Sequence, residues 1–479
     1  MVRLPDDFIT CTQQLMGEER YARFVKSFDD DPCVSVRVNP FKSSVPVDCQ
    51  QVPWCSNGFY LDRRPNFTFD PLFHAGAYYV QEAASMFLDR VIRQYVDKPV
   101  KALDLCAAPG GKTTILRTAL PEGSTLFANE PVRLRAQVLS ENMQKFGHPE
   151  MVVTNNFPKD YAASGLRFDV ILCDVPCSGE GMFRKDNDAI GEWSRQNVAT
   201  CSKLQREIAD EAWRCLNQDG LLIYSTCTFN AEEDERNVKA ICEKYDAELL
   251  CVDTRDEWNV TPSLLEGFTQ PVYRFIPGIS RGEGLFMAVL RKRGGEDIPT
   301  VSKREGKKRN KKDAPSRVPK ELPSWVDSPA DYSFTAKGDR FFAIPLSMKE
   351  QYETAESKLH VIHAGIALGT QKGKDIVPDT SLALSIALAK TAFPHVELDY
   401  KQAVSFLRKE TVTLDEGVGR GYAVVAFRSM PLGFVKNLGN RANNLYPSEW
   451  KIKSSHVPEE YAAIVRKPNS HNPIPKPMC

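Results

Sequence analysis

Two cysteines stand where a thiol can serve as a nucleophile: Cys177, within Asp174-Val-Pro-Cys-Ser-Gly-Glu-Gly181, and Cys227, within Tyr224-Ser-Thr-Cys-Thr228. Each follows a short apolar run, Val170–Cys173 and Leu221–Ser225, and each is followed by polar or turn-forming residues. A free cysteine is otherwise among the most buried residue types. That is the reading for Cys173, Cys201, Cys215 and Cys242, which lie inside apolar-periodic segments. Pro176 cannot continue a strand ladder, and the glycines after Cys177 allow an irregular, exposed loop. A thiolate is suited to adding at carbon 6 of a cytosine, which turns carbon 5 into an enamine-like nucleophile for an electrophilic methyl group. Loss of the carbon 5 proton and elimination of the thiolate complete the exchange, so one hard step becomes two easier ones. Asp174, beside Cys177, is placed to be protonated or hydrogen-bonded at ring N3 as charge develops. The spacing does not assign which thiol attacks.

A second motif, Ala102-Leu-Asp-Leu-Cys-Ala-Ala-Pro-Gly-Gly-Lys112, is an apolar strand running into a glycine turn and then a helix. Gly110 and Gly111 let the backbone turn sharply and leave no Cβ between it and a ligand. Glu130 ends the next strand, 20 residues after Gly110, where nucleotide-binding α/β folds place an acid for ribose hydroxyls. GxGxxG is not met, because Thr113 and Thr114 follow Lys112. The phosphate loop GxxxxGK[ST] needs a glycine at position 106, where Cys106 stands. A nucleoside-type ligand with little or no phosphate remains, and S-adenosylmethionine is the common one.

The elements that must position these motifs follow from the periodicity. From about 76 to 293 strand and helix patterns alternate, which predicts a parallel sheet flanked by helices. The expected strands are Ala102–Cys106, Thr125–Asn129, Met151–Thr154, Val170–Cys173, Leu221–Ser225 and Leu285–Leu290, with helical stretches such as Arg133–Phe146 and Cys201–Leu216 between them. In such a sheet the ligand crevice lies at the carboxyl ends of the strands, so both thiols face it. Asn230 and Glu233 have the spacing of a capping box for the helix after Cys227. Residues 1–75 are irregular in composition, with Val34–Val38 alternating as a strand, and are expected as a small N-terminal α+β subdomain, of RNA-binding type on the family resemblance given below. Residues 294–320 are a basic linker, and 321–479 a β-rich region with strands at Phe341–Ile344 and Tyr422–Phe427.

Composition excludes several classes. Of 479 residues, 42% are hydrophobic and 26% charged, the balance of a globular chain. No apolar stretch approaches the roughly 20 residues that span a bilayer, and the first ten residues lack an export pattern, so the expected address is cytoplasmic. The 13 cysteines are irregularly spaced and are expected as reduced thiols, with no zinc-type pairing and no metal. Net charge is zero, yet Arg291 to Lys320 carries twelve Lys or Arg against four Asp or Glu, an asymmetry suited to a polyanion.

On these residues the sequence resembles the Sun-type family of RNA cytosine-C5 methyltransferases, and within it the RsmF branch acting on 16S ribosomal RNA. The resemblance rests on Arg37-Val-Asn-Pro40, Tyr79-Val-Gln-Glu-Ala-Ala-Ser-Met86, the glycine turn, Asn129-Glu130, both cysteine motifs, Phe183-Arg-Lys-Asp186 and Gly282-Glu-Gly284. In the tail it rests on Leu407–Glu410, Gly421-Tyr422, Pro431–Gly439 and Tyr446-Pro447, which look like a PUA-like RNA-binding module. It implies a Rossmann-like methyltransferase core using S-adenosylmethionine, forming 5-methylcytosine in small-subunit ribosomal RNA near the decoding region. It further implies Cys227 as nucleophile, Cys177 as the thiol aiding release, and Asp174 and Lys112 beside the reacting base. Cofactor contacts then fall on Cys106, Ala107, Ala108, Pro109, Gly110, Gly111, Lys112, Glu130, Arg135 and Asp174. One departure is Thr154-Asn155-Asn156-Phe157-Pro158, where relatives carry an acid. Asn156 is the expected acceptor for the adenine amino group through its amide oxygen, although the sequence does not fix the equivalent residue. Phosphate contacts are expected from the run 303–312, Arg184, Lys185, Lys436 and Arg441, with the protein a monomer. The alternatives are transfer RNA as substrate, a nitrogen-directed methyltransferase, and a non-catalytic RNA-binding protein.

Overall fold

The computed structural model describes residues 3–43, 49–294, 318–414, 417–454, 456–458, 461 and 463–464. The basic run 303–312 lies outside the described residues. Helices Asp6–Met16 and Glu18–Lys26 lead into β1 (Val34–Val38), β2 (Gly58–Leu61) and β3 (Tyr78–Val80), a small antiparallel sheet in the order β2-β1-β3.

The central sheet contains β4 (Lys101–Asp104), β5 (Thr125–Asn129), β6 (Met151–Thr154), β7 (Phe168–Asp174), β8 (Leu216–Thr226), β9 (Glu248–Leu249), β10 (Tyr273–Phe275) and β11 (Leu285–Arg291). Beyond the linker come β12 (Tyr332–Lys337), β13 (Arg340–Pro345) and β14 (Val361–Ala364). The central order is β10-β11-β8-β7-β4-β5-β6-β14, with β9 on β11. Strands β4 to β8 are parallel, while β11 and β14 run antiparallel at opposite sides.

Period-2 alternation explains why these runs are apolar throughout. Ala102, Leu126, Val170 and Ile223 face one core, whereas Leu103, Phe127, Ile171 and Leu222 face the other. A parallel sheet covered on both faces needs both sets. Helix Arg133–Phe146 lies as its periodicity predicts, and the expected Cys201–Leu216 helix starts earlier, as Arg195–Cys215. The chain leaves β4 toward β5 and β6, then returns to β7 on the other side of β4. That reversal opens a crevice at the carboxyl ends of β4 and β7.

The C-terminal residues do not stand apart. Strand β14 pairs with β6, Val361 opposite Thr154 and Ala364 opposite Val152, and Met348, Tyr352 and Ala355 join the core on that side. The remaining strands are β15 (Ile366–Lys372), β16 (Asp375–Pro378), β17 (His395–Glu397), β18 (Gly421–Phe427), β19 (Met430–Asn437) and β20 (Ala442–Asn444). They form sheets in the orders β12-β13-β15-β16 and β17-β18-β19-β20. Val36, Val38 and Phe59 of the N-terminal sheet share one core with Val425 and Leu432 of the last and with Tyr446 just beyond it. No helix among the described residues is long and apolar enough to cross a membrane.

Candidate active site

The glycine turn follows β4 at the crevice. Gly110 has φ +114°, the left-handed region that favours glycine. Helix Gly111–Ala119 starts immediately after it. Arg37, fully buried, fastens this helix to the N-terminal sheet: its guanidinium donates to Gln81 Oε1 at 2.9 Å, to Thr118 Oγ1 at 3.0 Å and to Thr114 Oγ1. Arg135 donates to the Ala108 carbonyl at 2.9 Å, and its other nitrogen lies 3.5 Å from Glu130 Oε2. Glu130 Oε1 accepts the Val132 N–H at 2.9 Å, which orients the carboxylate at the tip of β5.

Three acids thus surround the turn: Asp104, Glu130 and Asp174. Asp104 is completely buried. Its Oδ2 accepts from Thr113 Oγ1 at 2.6 Å, while Oδ1 has no partner. Burial pushes its pKa up to about 7, with Asp174 and Glu130 adding to the rise. Burial alone would lower the pKa of Lys112, but Asp174 Oδ1 at 2.8 Å outweighs it and holds the ammonium form. Ser225 Oγ also donates to Asp174 Oδ1, at 2.7 Å.

The two thiols meet. Asp174 ends β7 and Thr226 ends the adjacent parallel β8, so the loops that follow emerge side by side, and Cys177 Sγ lies 3.1 Å from Cys227 Sγ. The hydrogen bond to Cys227 comes first, and burial second, in raising the Cys177 pKa well above its usual value, so Cys177 remains protonated. Cys227 is flanked by Thr226 and Thr228, both of which donate to Asp234 Oδ1, at 2.6 and 3.1 Å. Asp234 is ion-paired at 2.9 Å to Arg274, which also holds Glu235. Backbone approach is close: a Cβ on Gly284 would fall 2.8 Å from both Gly181 Cα and Phe229 Cζ, so only glycine fits there.

Residues 4–83 match the N-terminal domain of 16S rRNA methyltransferase RsmF, 96–291 match 16S rRNA methyltransferase RsmB/F, and 393–452 match the methyltransferase RsmF PUA domain. Ribosomal RNA small subunit methyltransferase F of Aliivibrio fischeri (strain MJ11) is 31% identical over 471 residues, spanning 93% of this chain and 97% of that protein. The chain belongs to this RsmF family of methyltransferases. The protein of the same name from Klebsiella pneumoniae (strain 342) is 29% identical, covering 87% of this chain and 89% of its own. NSun6 from Pyrococcus horikoshii, solved with SFG, shares the fold at a TM-score of 0.52 and 19% identity, over 61% of this chain and 99% of that one. The expected Rossmann-like core, N-terminal domain and C-terminal PUA region are therefore those of this methyltransferase.

Within this RsmF-family methyltransferase the structure brings Cys177, Cys227, Asp174 and Lys112 together, with Cys106 to Gly111, Glu130 and Arg135 lining the adjoining turn. Asn156 sits further out. Its Oδ1 accepts the His360 N–H at 3.0 Å and its Nδ2 lies 3.4 Å from the His360 carbonyl, so the segment leading into β14 already engages both ends of the amide. Arg184 is not a free surface cation: it donates to both oxygens of Glu283, at 2.8 and 2.9 Å, and to the Asp30 carbonyl at 2.9 Å. Lys185 and Arg441 are exposed, and Lys436 pairs with Asp375 at 2.7 Å. The expected capping box is also redirected. The helix begins at Glu235, Asn230 Oδ1 accepts the Glu233 N–H at 2.9 Å, but the Asn230 N–H goes to Glu180. Nothing in the local sequence marks Glu180 as a holding group, because the backbone groups it accepts from, in Phe229 and Asn230, lie about 50 residues away. Every described cysteine is free, and among the described residues no group of His, Cys, Asp or Glu is placed to hold a metal.

Proposed function

We propose that the protein transfers a methyl group from S-adenosylmethionine to carbon 5 of a cytosine in small-subunit ribosomal RNA, with Cys227 as covalent nucleophile and Cys177 as the thiol that frees the product. The observation that carries this reading is the pair of thiols 3.1 Å apart beside the Lys112–Asp174 pair. Attack and release both occur at the bond between Cys227 and carbon 6, so a thiol that aids release must lie beside the thiol that attacked. A methylation at an exocyclic nitrogen needs no thiol.

The residues present fit the cofactor. Three carboxylates around a glycine turn suit a cationic sulfonium that also bears an ammonium group, and the unpartnered Asp104 Oδ1 leaves one acceptor for a donor. The cofactor supplies an electrophilic methyl. Cys106, Ala107, Ala108, Pro109, Gly110 and Gly111 would form its cradle and Glu130 would accept from its ribose hydroxyls, with Arg135 holding Glu130 and the turn. Asn156 would accept from the adenine amino group only on giving up its bonds to His360. Asp174 passes a proton from the Lys112 ammonium it pairs with to ring N3 as electron density moves there on thiolate addition. Cys177, protonated and adjacent to Cys227, gives its proton to the departing Cys227 thiolate, and the proton lost from carbon 5 restores the Cys177 thiol through water. A cytosine in structured RNA must be unstacked to reach these thiols, and the PUA region with the basic linker supplies phosphate contacts.

The test is covalent trapping. Cys177→Ala protein, cofactor and small-subunit ribosomal RNA should give a protein–RNA adduct on a denaturing gel, which disappears when Cys227 is also changed to Ala. Methyl transfer that survives Cys227→Ala, with no adduct from Cys177→Ala, would overturn the covalent mechanism in favour of a nitrogen target.

A further inference from the structure

We infer that Glu180 and Glu233 form a reciprocal clasp that sets the distance between the two thiols, each carboxylate belonging to one cysteine loop and gripping the other. The catalytic use of that distance rests on the covalent reading above. Glu180 lies in the Cys177 loop. Its Oε2 accepts the N–H groups of Phe229 and Asn230, at 2.6 and 3.0 Å, just beyond Cys227. Its Oε1 accepts from Asn230 Nδ2 and Trp193 Nε1, both at 2.9 Å. Glu233 lies in the Cys227 loop and reaches the opposite way. Its Oε2 accepts the Ser178 N–H, immediately after Cys177, at 3.0 Å and Gln205 Nε2 at 2.6 Å. Between these two grips the Gly181 N–H donates to the Cys227 carbonyl at 2.6 Å.

Carboxylates are an expensive choice for this task. Glu180 is 2% exposed and Glu233 0%, and burial followed by the charge of Glu233 raises the pKa of Glu180. Two buried acids persist only where each is saturated by donors, and here every oxygen accepts at least one N–H. Among the described residues neither carboxylate takes a hydrogen bond from a thiol, so both are positioning residues. Gln205, also donating to the Pro176 carbonyl at 2.9 Å, braces the Cys177 loop from behind. Loosening Glu233 frees the Cys177 side of the clasp while the Cys227 loop keeps its ties to Asp234 and Glu180. Attack then continues and release fails.

Glu233→Gln keeps the volume but places an amide nitrogen opposite a donor. Gln205→Met disturbs the same loop without altering a charge and serves where Glu233→Gln does not fold. Two readouts apply to folded protein, checked by cofactor affinity. The first is disulfide formation between Cys177 and Cys227 under diamide, an azo oxidant that takes up both thiol hydrogens as the sulfur–sulfur bond forms. It should slow by about tenfold, on the order of one weakened hydrogen bond to a charged group. The second is trapping with Cys177 intact: adduct with small-subunit ribosomal RNA should accumulate about tenfold over the parent, toward the Cys177→Ala level. Disulfide formation at the parental rate overturns the clasp. Slowed disulfide formation with no adduct, while Cys177→Ala traps normally, overturns its role in release. Absence of adduct from Cys177→Ala itself removes the covalent reading and with it the release role, while the slowed disulfide still supports the clasp.

Discussion

Replacing Asp104 by Asn should stabilise the protein, and by an amount that depends on pH in a defined way. Asp104 is completely buried, has one oxygen bonded to Thr113 and the other without a partner, and its pKa is pushed from 3.8 up to about 7. A folded pKa above the unfolded one means that the native state holds the proton more tightly. The stability this contributes is complete below about pH 4 and is lost as pH rises to about 7, beyond which both states are ionised. At about 1.4 kcal/mol for each pH unit between the two values, the loss amounts to about 4 kcal/mol across that window. Asparagine is neutral throughout and nearly isosteric, so the difference between the two proteins isolates this one titration. Urea unfolding at pH 5, 6, 7 and 8 should show an advantage of Asp104→Asn over the parent that climbs by about 1.4 kcal/mol per pH unit and levels off above pH 7. A constant difference, or an asparagine variant less stable at pH 8, would show that Asp104 is an ordinary satisfied carboxylate and would refute the reasoning. Because Asp104 adjoins the cofactor turn, the same variant should bind a cationic ligand more weakly at pH 8, measured by calorimetry.

Arg274→Met leaves Asp234 and Glu235 buried without their cation; stability should fall by about 3–5 kcal/mol, read from the urea midpoint, and a loss below about 1 kcal/mol would contradict the buried network. Tyr352→Ala, at a 4% exposed site beside the β14 edge, should cost about 3–5 kcal/mol in the same assay, whereas a surface-like loss would show that this segment is not part of the central core. Neutralising Lys307, Lys308 and Arg309 together should weaken RNA binding and reduce its salt slope by about 2–3, measured by filter binding; an unchanged slope would remove the linker from the RNA contact.

The sequence was most legible where structure is set locally. Thr125–Asn129, Met151–Thr154 and helix Arg133–Phe146 are found at the bounds their periodicity predicts, because alternation and helical repeat are properties of a few neighbouring residues. Strand β8 starts at Leu216 rather than Leu221; its first residues, Asn217 to Asp219, are polar because they project past the covered part of the sheet. Strand β14 carries almost no signal of its own, since four residues become a strand only because β6 offers an open edge. The two thiols were visible as residues after strands, but not what fixes them. Spacing showed Asn230 and Glu233 as a local cap, whereas the carboxylate turns to Ser178 in another loop. Arg184 read as a free cation for the same reason: Glu283, its partner, is 99 residues away.

Strand β14 has a bearing on how the protein is made. A chain emerging from the ribosome presents β6 roughly 200 residues before β14, an interval of roughly 10–40 s at about 5–20 residues per second. Once Arg291 has completed β11, Met151–Thr154 is the unpaired border of a sheet whose other strands are all available, the kind of border that recruits foreign strands. The N-terminal sheet waits longer still, since part of its core arrives only with Tyr446. Biosynthesis of this methyltransferase therefore ends, rather than begins, with the closing of its first-made parts, and a ribosome stalled before residue 361 carries a catalytic sheet with one side open.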